Sequence, residues 1–298
     1  MFYLEETIQP IQLGVEPSSF KDIEKVLSSG EWYAEHKIDG IRLIMIVKPD
    51  KSFKVETRNG KNVTDKFKQI FPYYEKLINR GLSVLKDGLI LDGEFYYKSI
   101  FQTQSILFTR NKEVPKADYE WFIFDVLPLE AWRKRHCQLT YLQRRKLLDK
   151  ILPKPIKGFK KLEHFKINSY SDAKKVFESA LKHGYEGLML KKADSLYRFK
   201  RTKDWVKMKP SESKTFKCID VKEGTGKNKG KLGAIIIDYN GKKVQVGSGF
   251  SDEQREYYWK NKNKIIGKCV DVEYYSVTNG KSLRFPRFIK VRDDKTKC

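Results

Sequence analysis

The sequence predicts an α+β fold in two parts: antiparallel sheets with flanking helices, followed by a small β-barrel. Strands and helices are mixed in the first part, without the regular alternation of a parallel α/β sheet. The polar segment KPSESK, with Pro210 and two serines, predicts a linker. About five short strands follow, with a helix between the third and fourth, which matches an OB-type barrel; another small barrel is the alternative. We therefore expect domains at 1–209 and 210–298.

Local patterns predict the elements of the first domain. Ser19, with Asp22 three residues later, resembles a capping box and predicts a short helix that closes on Gly30. Asn59-Gly60 predicts a hairpin turn. Apolar and aromatic runs predict the strands EWYAEHKI, IRLIMIVK, GLILDGEFYY, WFIFDVL, GLMLKK and WVKMK. Two basic segments, TYLQRRKLLDKIL and SDAKKVFESALKHG, predict helices.

The second domain shows the same kinds of signal. Its strand candidates are TFKCIDVKE, GAIIIDYNGKKVQVGSG, KCVDVEYY and LRFPRFIKVR, the second divided into a hairpin by Asn240-Gly241. Ser251 is the expected N-cap of the helix SDEQREYYWKNK. The short loop EGTGKNKGKLG is rich in glycine and lysine, and it is either simply solvated or in contact with phosphates.

Charge is the strongest global signal, because 61 Lys+Arg against 38 Asp+Glu give a net charge of +23. This balance favours a nucleic acid as partner; a merely soluble basic protein or a membrane-surface binder is the alternative. The four cysteines form no C-x-x-C pair, which argues against a zinc knuckle, and they suit a reducing compartment. Neither a signal peptide nor a membrane span is evident. We expect a soluble cytoplasmic protein.

The segment EHKIDGIR contains the first candidate for chemistry. Glu35 and Lys37 point to one face of the predicted strand and His36 to the other, before Asp39-Gly40 turns the chain into the next strand. An amine is a nucleophile only when it is neutral, and neighbouring cations or a metal favour that form. Lys37 is therefore either an exposed lysine at a turn or a nucleophile on which other charged groups converge.

Later segments supply such groups. Lys207 and Lys209, in WVKMKP, share a predicted strand face and stand about 7 Å apart, pointing either to solvent or to a phosphate. Glu94 and Glu186 each lie near glycines at the end of an apolar run. Each carboxylate alone could pair with a surface lysine, but together they suit Mg²⁺. Phe124, in WFIFDVL, is either a core residue or a wall on which a base stacks.

Six segments in order resemble the successive motifs of the ATP-dependent DNA ligases, which are covalent nucleotidyltransferases: KIDGIR, DGE, WFIFDV, EGLMLK, WVKMK and RFPRFIKVRDDK. The resemblance runs from Lys37 to Lys295. It implies that 1–209 is a nucleotidyltransferase (adenylation) domain and 210–298 an OB-fold domain. Only 36 residues precede Lys37, so we expect the minimal type found in viruses, phages and some bacteria, with ATP rather than NAD as the adenylate donor.

The resemblance implies a role for each matching position at the reacting phosphates. Lys37 would be the nucleophile that carries AMP, and Lys207 and Lys209 would bind the α-phosphate. Asp39 would lie near the 3′-OH during sealing, and Arg58 would grip the 5′-phosphate at the nick.

At other positions that match the family motifs, the resemblance implies contacts with ATP and its metal ion. Arg42 and Glu94 would contact the ribose, and Phe124 would stack on adenine, which the backbone of Glu35 helps to select. Glu186 and Glu94 would engage Mg²⁺, with Mn²⁺ as the alternative. The residues that would orient the pyrophosphate leaving group, when the barrel closes over ATP, are Arg292, Asp294 and Lys295.

The resemblance thus implies an enzyme that seals 3′-OH/5′-phosphate nicks in duplex DNA through a lysyl-AMP and a DNA-adenylate. We expect a monomer with no membrane partner, acting in DNA repair, replication and recombination. The alternatives are an RNA ligase, a GTP-using capping-type enzyme and a non-enzymatic basic OB protein. Because the loop EGTGKNKGKLG is short, we expect its lysines and the general positive charge to hold DNA, rather than a latch that encircles it.

Overall fold

A computed structural model describes residues 11–277, 282–295 and 297–298. The chain divides into two compact units, Met1–Met208 and Lys209–Cys298. The N-terminal ten residues, on which the signal-peptide expectation depends, lie outside the described residues. Among the described residues, none of the helices has the length and apolar character needed to cross a membrane.

Two five-stranded sheets form the first unit, numbered here in chain order. In spatial order, the first sheet contains β1 (Leu13–Val15), β10 (Arg201–Met208), β9 (Gly187–Lys192), β2 (Trp32–Lys37) and β8 (His164–Ile167). The second contains β4 (Phe53–Thr57), β3 (Ile41–Val47), β5 (Leu89–Tyr97), β6 (Tyr119–Pro128) and β7 (Phe159–Lys161). All neighbouring strands are antiparallel except the pairs β1–β10 and β6–β7. The α+β class predicted from the sequence is confirmed.

Helices cover the outer faces of the two sheets, with an apolar core between each sheet and its helices. A further apolar core lies between the two sheets. The α-helices are α1 (Ile23–Ser28), α2 (Phe71–Val84), α3 (Ile100–Phe108), α4 (Leu129–Arg133), α5 (Tyr141–Ile151) and α6 (Tyr170–Lys182). The core between the sheets draws Ile38, Ile44 and Phe124 together with Trp205 of β10. This arrangement packs the turn after β2, through Ile38, and β3, through Ile44, against the same apolar core.

Some local predictions for the first unit were wrong in detail. The helix expected from Ser19 begins at Ile23, because Asp22 caps it by accepting a hydrogen bond from the Lys25 amide at 2.9 Å. The turn at Asn59-Gly60 leads to an isolated bridge rather than to a second strand. The helices α2 and α3 were not predicted, since their many aromatic and β-branched residues do not favour a helix.

The second unit has the strand order and helix position of an OB fold. In spatial order its main sheet contains β13 (Lys242–Val246), β12 (Leu232–Tyr239), β11 (Glu212–Glu223), β14 (Cys269–Tyr274) and β17 (Arg287–Arg292). A parallel bridge joins Ser248 to Arg287, beyond the two edge strands. The helix α7 (Asp252–Lys260) follows β13, and Ser251 caps it as predicted. A small pair, β15 (Ser276–Val277) and β16 (Leu283–Arg284), precedes β17.

Three expectations for the second unit need correction. The linker is shorter than KPSESK, because β11 already begins at Glu212. The segment LRFPRFIKVR is two strands, since Phe285 adopts a positive φ of 54° before Pro286 and interrupts the ladder. The cysteines are not all free thiols: Cys269 and Cys298 form a disulfide.

Candidate active site

The turn between β2 and β3 brings the two sheets together at the candidate site. Lys37 ends β2 in the first sheet, and Arg42 lies at the start of β3 in the second. A side chain at Gly40 would place its Cβ only 2.9 Å from Glu94 Cγ on β5, so this close approach requires glycine. Asp39 is half-buried in the same turn. The turn therefore holds Lys37 next to the strand that carries Glu94.

Lys37 and Glu186 form an ion pair, although they are 149 residues apart in the sequence. The side chain of Lys37 is 21% exposed and that of Glu186 only 5%, so the amine is partly open to solvent while the carboxylate is buried beside it. The Glu186 amide also donates a hydrogen bond to the Lys37 carbonyl at 2.9 Å. Backbone and side chain thus both fix the carboxylate against the amine.

Glu94 is the second carboxylate at this site. It is half-buried, and its Cα pairs with that of Arg42 across the ladder. Burial raises the pKa of Glu94 to about 7, even though Lys37 and Arg42 favour its ionised form; the charge of Glu186 adds to the increase. The repulsion between these two carboxylates means that a divalent cation would be favoured between them. The donor set therefore fits a hard metal ion.

Arg42 is held by groups that the sequence had not assigned to it. Its guanidinium donates to both carboxylate oxygens of the buried Asp92, at 2.8 and 2.5 Å, and to the Gln12 carbonyl at 2.7 Å. The Tyr197 hydroxyl donates to Asp92 at 2.9 Å. An aspartate that is fully buried in an apolar strand requires a cationic partner. The signal in the sequence was therefore Asp92 itself, a carboxylate within an apolar run.

Phe124 lies in the wall between the two sheets, with 8% of its surface exposed. Its ring centroid is 5.2 Å from the Arg42 guanidinium carbon and 4.5 Å from the Lys191 ammonium. Trp205 meets it edge to face at 6.1 Å. An aromatic ring at this position, between cations, could accept a stacked base.

Glu35 has a buried side chain, which the sequence analysis did not foresee. Its carboxylate pairs with the Lys191 ammonium at 2.7 Å and accepts a hydrogen bond from the Tyr141 hydroxyl at 2.8 Å. Arg145 is 3.7 Å away. The Tyr141 oxygen also lies 2.9 Å from Nδ1 of His164, whose pKa burial lowers to about 4. This network braces β2, the strand that carries Lys37.

The structure separates the two lysines of WVKMKP. Lys207 is on β10, half-buried, with its Nζ 3.4 Å from Glu16. The strand ends at Met208, because Pro210 lacks the N–H that would continue the ladder. Lys209 belongs to the second unit, where its ammonium lies 5.3 Å from the Tyr275 ring. The expectation that both lysines share one strand face was therefore wrong.

Arg58 is exposed on the tight turn that follows β4, whose last residue, Thr57, pairs with Leu43 of β3. Gly60 gives this turn its shape, with a φ of 77° and an amide that donates to the Thr57 carbonyl at 2.9 Å.

A second charged cluster lies within the second unit. Arg292 donates to both carboxylate oxygens of Asp294, at 2.8 and 2.6 Å, and to Asp271 at 3.2 Å. These hydrogen bonds hold the pKa of Asp294 well below its usual range. Thr215 accepts a hydrogen bond from Lys295 at 3.1 Å and donates one to Asp271 at 2.7 Å. Thr215 and Asp271 were not predicted from the sequence, because they face each other only through the pairing of β11 with β14.

The first cluster combines an amine, two carboxylates and an arginine, with the aromatic rings of Phe124 and Trp205 against the arginine. Such a set suits nucleophilic attack by the amine on a phosphorus atom, with the carboxylates taking a proton or a metal ion.

Comparison with protein families agrees with both units. Residues 16–209 match the family model described as the ATP dependent DNA ligase domain, and residues 223–292 match that of the DNA ligase OB-like domain.

Individual relatives point to the same family. The DNA ligase of Thermococcus onnurineus is 27% identical over 293 residues, which cover 88% of this chain and 51% of that protein. A solved structure named Pmar-Lig_PreS3 is 31% identical with a TM-score of 0.80, covering 96% of this chain and 68% of that one. A Lig E DNA ligase structure, 21% identical with a TM-score of 0.68, shares the fold over 96% of this chain and 100% of its own. This chain spans about half the length of the curated relatives it matches.

Proposed function

The chain belongs to the family of ATP-dependent DNA ligases, and from that premise we propose that it seals 3′-OH/5′-phosphate nicks in duplex DNA. ATP is the proposed adenylate donor, and Lys37 the residue that carries AMP. The observation that carries this proposal is the convergence of Glu186 and Glu94 on the Lys37 amine, with the Phe124 ring against the neighbouring Arg42 guanidinium.

In the first step, the Lys37 Nζ attacks the α-phosphorus of ATP. A nitrogen–phosphorus bond forms, and the bond to the bridging oxygen breaks, so that pyrophosphate leaves. The ammonium must first lose a proton, and the Glu186 carboxylate, which accepts its hydrogen bond, is the nearest base. Lys207 provides a fixed positive charge for the α-phosphate.

In the second and third steps, AMP passes to the nick and is then expelled. An oxygen of the DNA 5′-phosphate attacks the phosphorus of lysyl-AMP and restores the free amine. The 3′-hydroxyl then attacks the DNA 5′-phosphorus, loses its proton, and releases AMP as the phosphodiester forms. We assign Asp39 to the 3′-hydroxyl and Arg58 to the 5′-phosphate; both assignments follow the family pattern. Each step depends on positioning and charge neutralisation.

The remaining residues are proposed to bind the nucleotide and its metal. Phe124 would stack on adenine beside Glu35, and Glu94, with Arg42 oriented by Asp92, would contact the ribose. Glu94 and Glu186 would hold Mg²⁺, which neutralises charge on the triphosphate when it is bound. The proposed contacts of the triphosphate are Lys209, Arg292, Asp294 and Lys295.

Covalent adenylylation tests the proposal directly. Incubated with labelled ATP and Mg²⁺, the protein should take up AMP in an alkali-stable, acid-labile form, as expected of a nitrogen–phosphorus bond, and Lys37→Ala should take up none. Lys37→Arg keeps the charge and serves as the control for charge alone. The same variants should still bind nicked duplex, because the net charge of +23 is almost unchanged. Label taken from GTP in preference to ATP would overturn the proposal.

Substrates with DNA or RNA on either side of the nick would separate DNA ligation from RNA ligation. We propose duplex DNA, a monomeric enzyme acting inside the cell, and participation in repair, replication and recombination.

A further inference from the structure

His36 stacks face to face on Tyr185, and this pair lies beside the ion pair of the proposed active site. The ring centroids are 4.0 Å apart and the planes differ by 2°. Because side chains alternate along β2, His36 points to the face of the sheet opposite Lys37. On that face it also meets Phe165 of β8, at 5.4 Å and tilted by 56°. The stack therefore lies behind the strand, outside the reacting groups.

Tyr185 occupies the connection between α6 and β9, directly before Glu186. The Tyr185 amide donates to the Ala180 carbonyl at 3.1 Å, which ties the connection to the end of α6. On its other side, Glu186 donates its amide to the Lys37 carbonyl at 2.9 Å. The ring stack is a second contact between this connection and β2, in addition to the hydrogen bond from the Glu186 amide to the Lys37 carbonyl.

The stacked residues are sequence neighbours of the two paired groups: His36 precedes Lys37, and Tyr185 precedes Glu186. Each ring of the stack is therefore one residue along the chain from a group of the ion pair, the ammonium in one case and the carboxylate in the other. Rotation of the connection about the Ala180 hydrogen bond would separate the rings and withdraw the Glu186 carboxylate together. The half-buried Tyr185 ring also packs against the apolar core below α6. A test must therefore separate the loss of this packing from the loss of the ring stack.

We propose that His36 and Tyr185 are positioning residues for adenylylation, holding the Glu186 carboxylate against the Lys37 amine. The inference rests on the proposed function for its catalytic consequence, but the positioning itself concerns only the contact between the two side chains. In this proposal the stacked rings hold the Glu186 carboxylate in position, and the hydroxyl group of Tyr185 has no part in it.

The first test needs no nucleotide or metal. Labelling of Lys37 by an amine-reactive reagent is measured by mass spectrometry, relative to the exposed Lys48. Because the ion pair with Glu186 occupies the Lys37 amine and shields it from the reagent, Tyr185→Ala should raise the relative labelling of Lys37 at least about threefold. Tyr185→Phe, which keeps the stack, should label like the wild type.

The second test measures adenylylation by ATP at saturating nucleotide and varied Mg²⁺. Tyr185→Ala and His36→Ala should slow it about tenfold to a hundredfold and raise the Mg²⁺ concentration for half-maximal rate, since a displaced carboxylate is costly. Tyr185→Phe should remain within about twofold. Val26→Ala removes apolar atoms from the same core on α1 and is the matched control for lost stability; it should leave the rate unchanged.

The outcomes separate the two proposals. If the wild type forms no lysyl-AMP, the proposed function fails, while the labelling experiment still decides the positioning. Positioning is overturned if Tyr185→Ala leaves the labelling of Lys37 unchanged. It is equally overturned if Tyr185→Phe and Val26→Ala are as impaired in adenylylation as Tyr185→Ala.

Discussion

The Arg42 guanidinium forms two hydrogen bonds, at 2.8 and 2.5 Å, with the carboxylate of Asp92, which is completely buried in β5. Because Arg42 stands at the start of β3, this pair joins the strand after the Lys37 turn to the strand that carries Glu94. The Gln12 carbonyl and the Tyr197 hydroxyl complete the network. The position of the Arg42 guanidinium therefore depends on a carboxylate that is itself completely buried.

Asp92→Asn should destabilise the first unit strongly. The substitution keeps the shape of the side chain but leaves a nearly buried guanidinium without its counter-charge, a change that costs about 3–5 kcal/mol. The free energy of unfolding, measured by urea denaturation, checks this. Asp65→Asn is the control: its partner Lys68 is exposed and 3.5 Å away, so less than about 1 kcal/mol should be lost. Equal losses in the two variants would contradict a structural role for the Arg42–Asp92 pair.

The sequence predicted the elements near the site better than the contacts between them. Strand alternation placed Glu35 and Lys37 on one face because that inference needs only neighbouring residues. The pairing of Glu35 with Lys191 spans 156 residues and depends on β2 lying next to β9, which no local pattern specifies. Glu186 was a candidate because it lies near glycines at the end of an apolar run, but no local pattern specified its contact with Lys37, which lies 149 residues away.

The missed features have the same physical origin. The position of Lys209 depends on its contact with the Tyr275 ring, which is set by tertiary structure. Cysteine pairing cannot be deduced from spacing, so the Cys269–Cys298 disulfide was not predicted. Phe285 takes a positive φ that a phenylalanine rarely adopts, and an apolar run reads as a continuous strand until that angle is known.

Glu94 should make stability depend on pH in the direction opposite to that of most carboxylates. Its folded-state pKa is about 7, above the ordinary 4.5, so the folded chain keeps a proton that the unfolded chain releases. Its stabilising contribution is complete below about pH 4.5 and is lost as the pH rises through about 7. Without ATP or metal, the melting temperature of Glu94→Gln relative to the wild type should rise between pH 5 and 8.

The control for this prediction is Glu75→Gln, on the exposed face of α2. Its melting temperature relative to the wild type should be constant over the same pH range. A constant difference for Glu94→Gln as well would mean that Glu94 is not a buried acid in the folded protein.

Binding of nicked duplex should depend steeply on salt. With a net charge of +23, the protein should release many counterions, and the logarithm of the affinity should fall linearly with the logarithm of salt, by about 0.9 per phosphate contact. Lys227 and Lys229 are exposed in the loop between β11 and β12. Replacing both with alanine should reduce the slope by about 2 if each meets one phosphate. Lys76→Ala and Lys68→Ala, exposed on or before α2, form the matched control pair. Affinity that does not change with salt would contradict binding through phosphates.

The Cys269–Cys298 disulfide should stabilise the second unit through the tail that carries Asp294 and Lys295. It closes a loop with a sequence separation of 29 residues, and removing such a cross-link costs about 2–4 kcal/mol in the chain-entropy account. Cys298→Ser should therefore unfold at a lower denaturant concentration than the oxidised wild type, and reduction of the wild type by a dithiol should reproduce the shift. The same dithiol added to Cys298→Ser is the control and should change nothing further. If oxidised wild type and Cys298→Ser unfold together, the cross-link does not contribute to stability, and the Arg292–Asp294 and Lys295–Thr215 hydrogen bonds hold the tail alone.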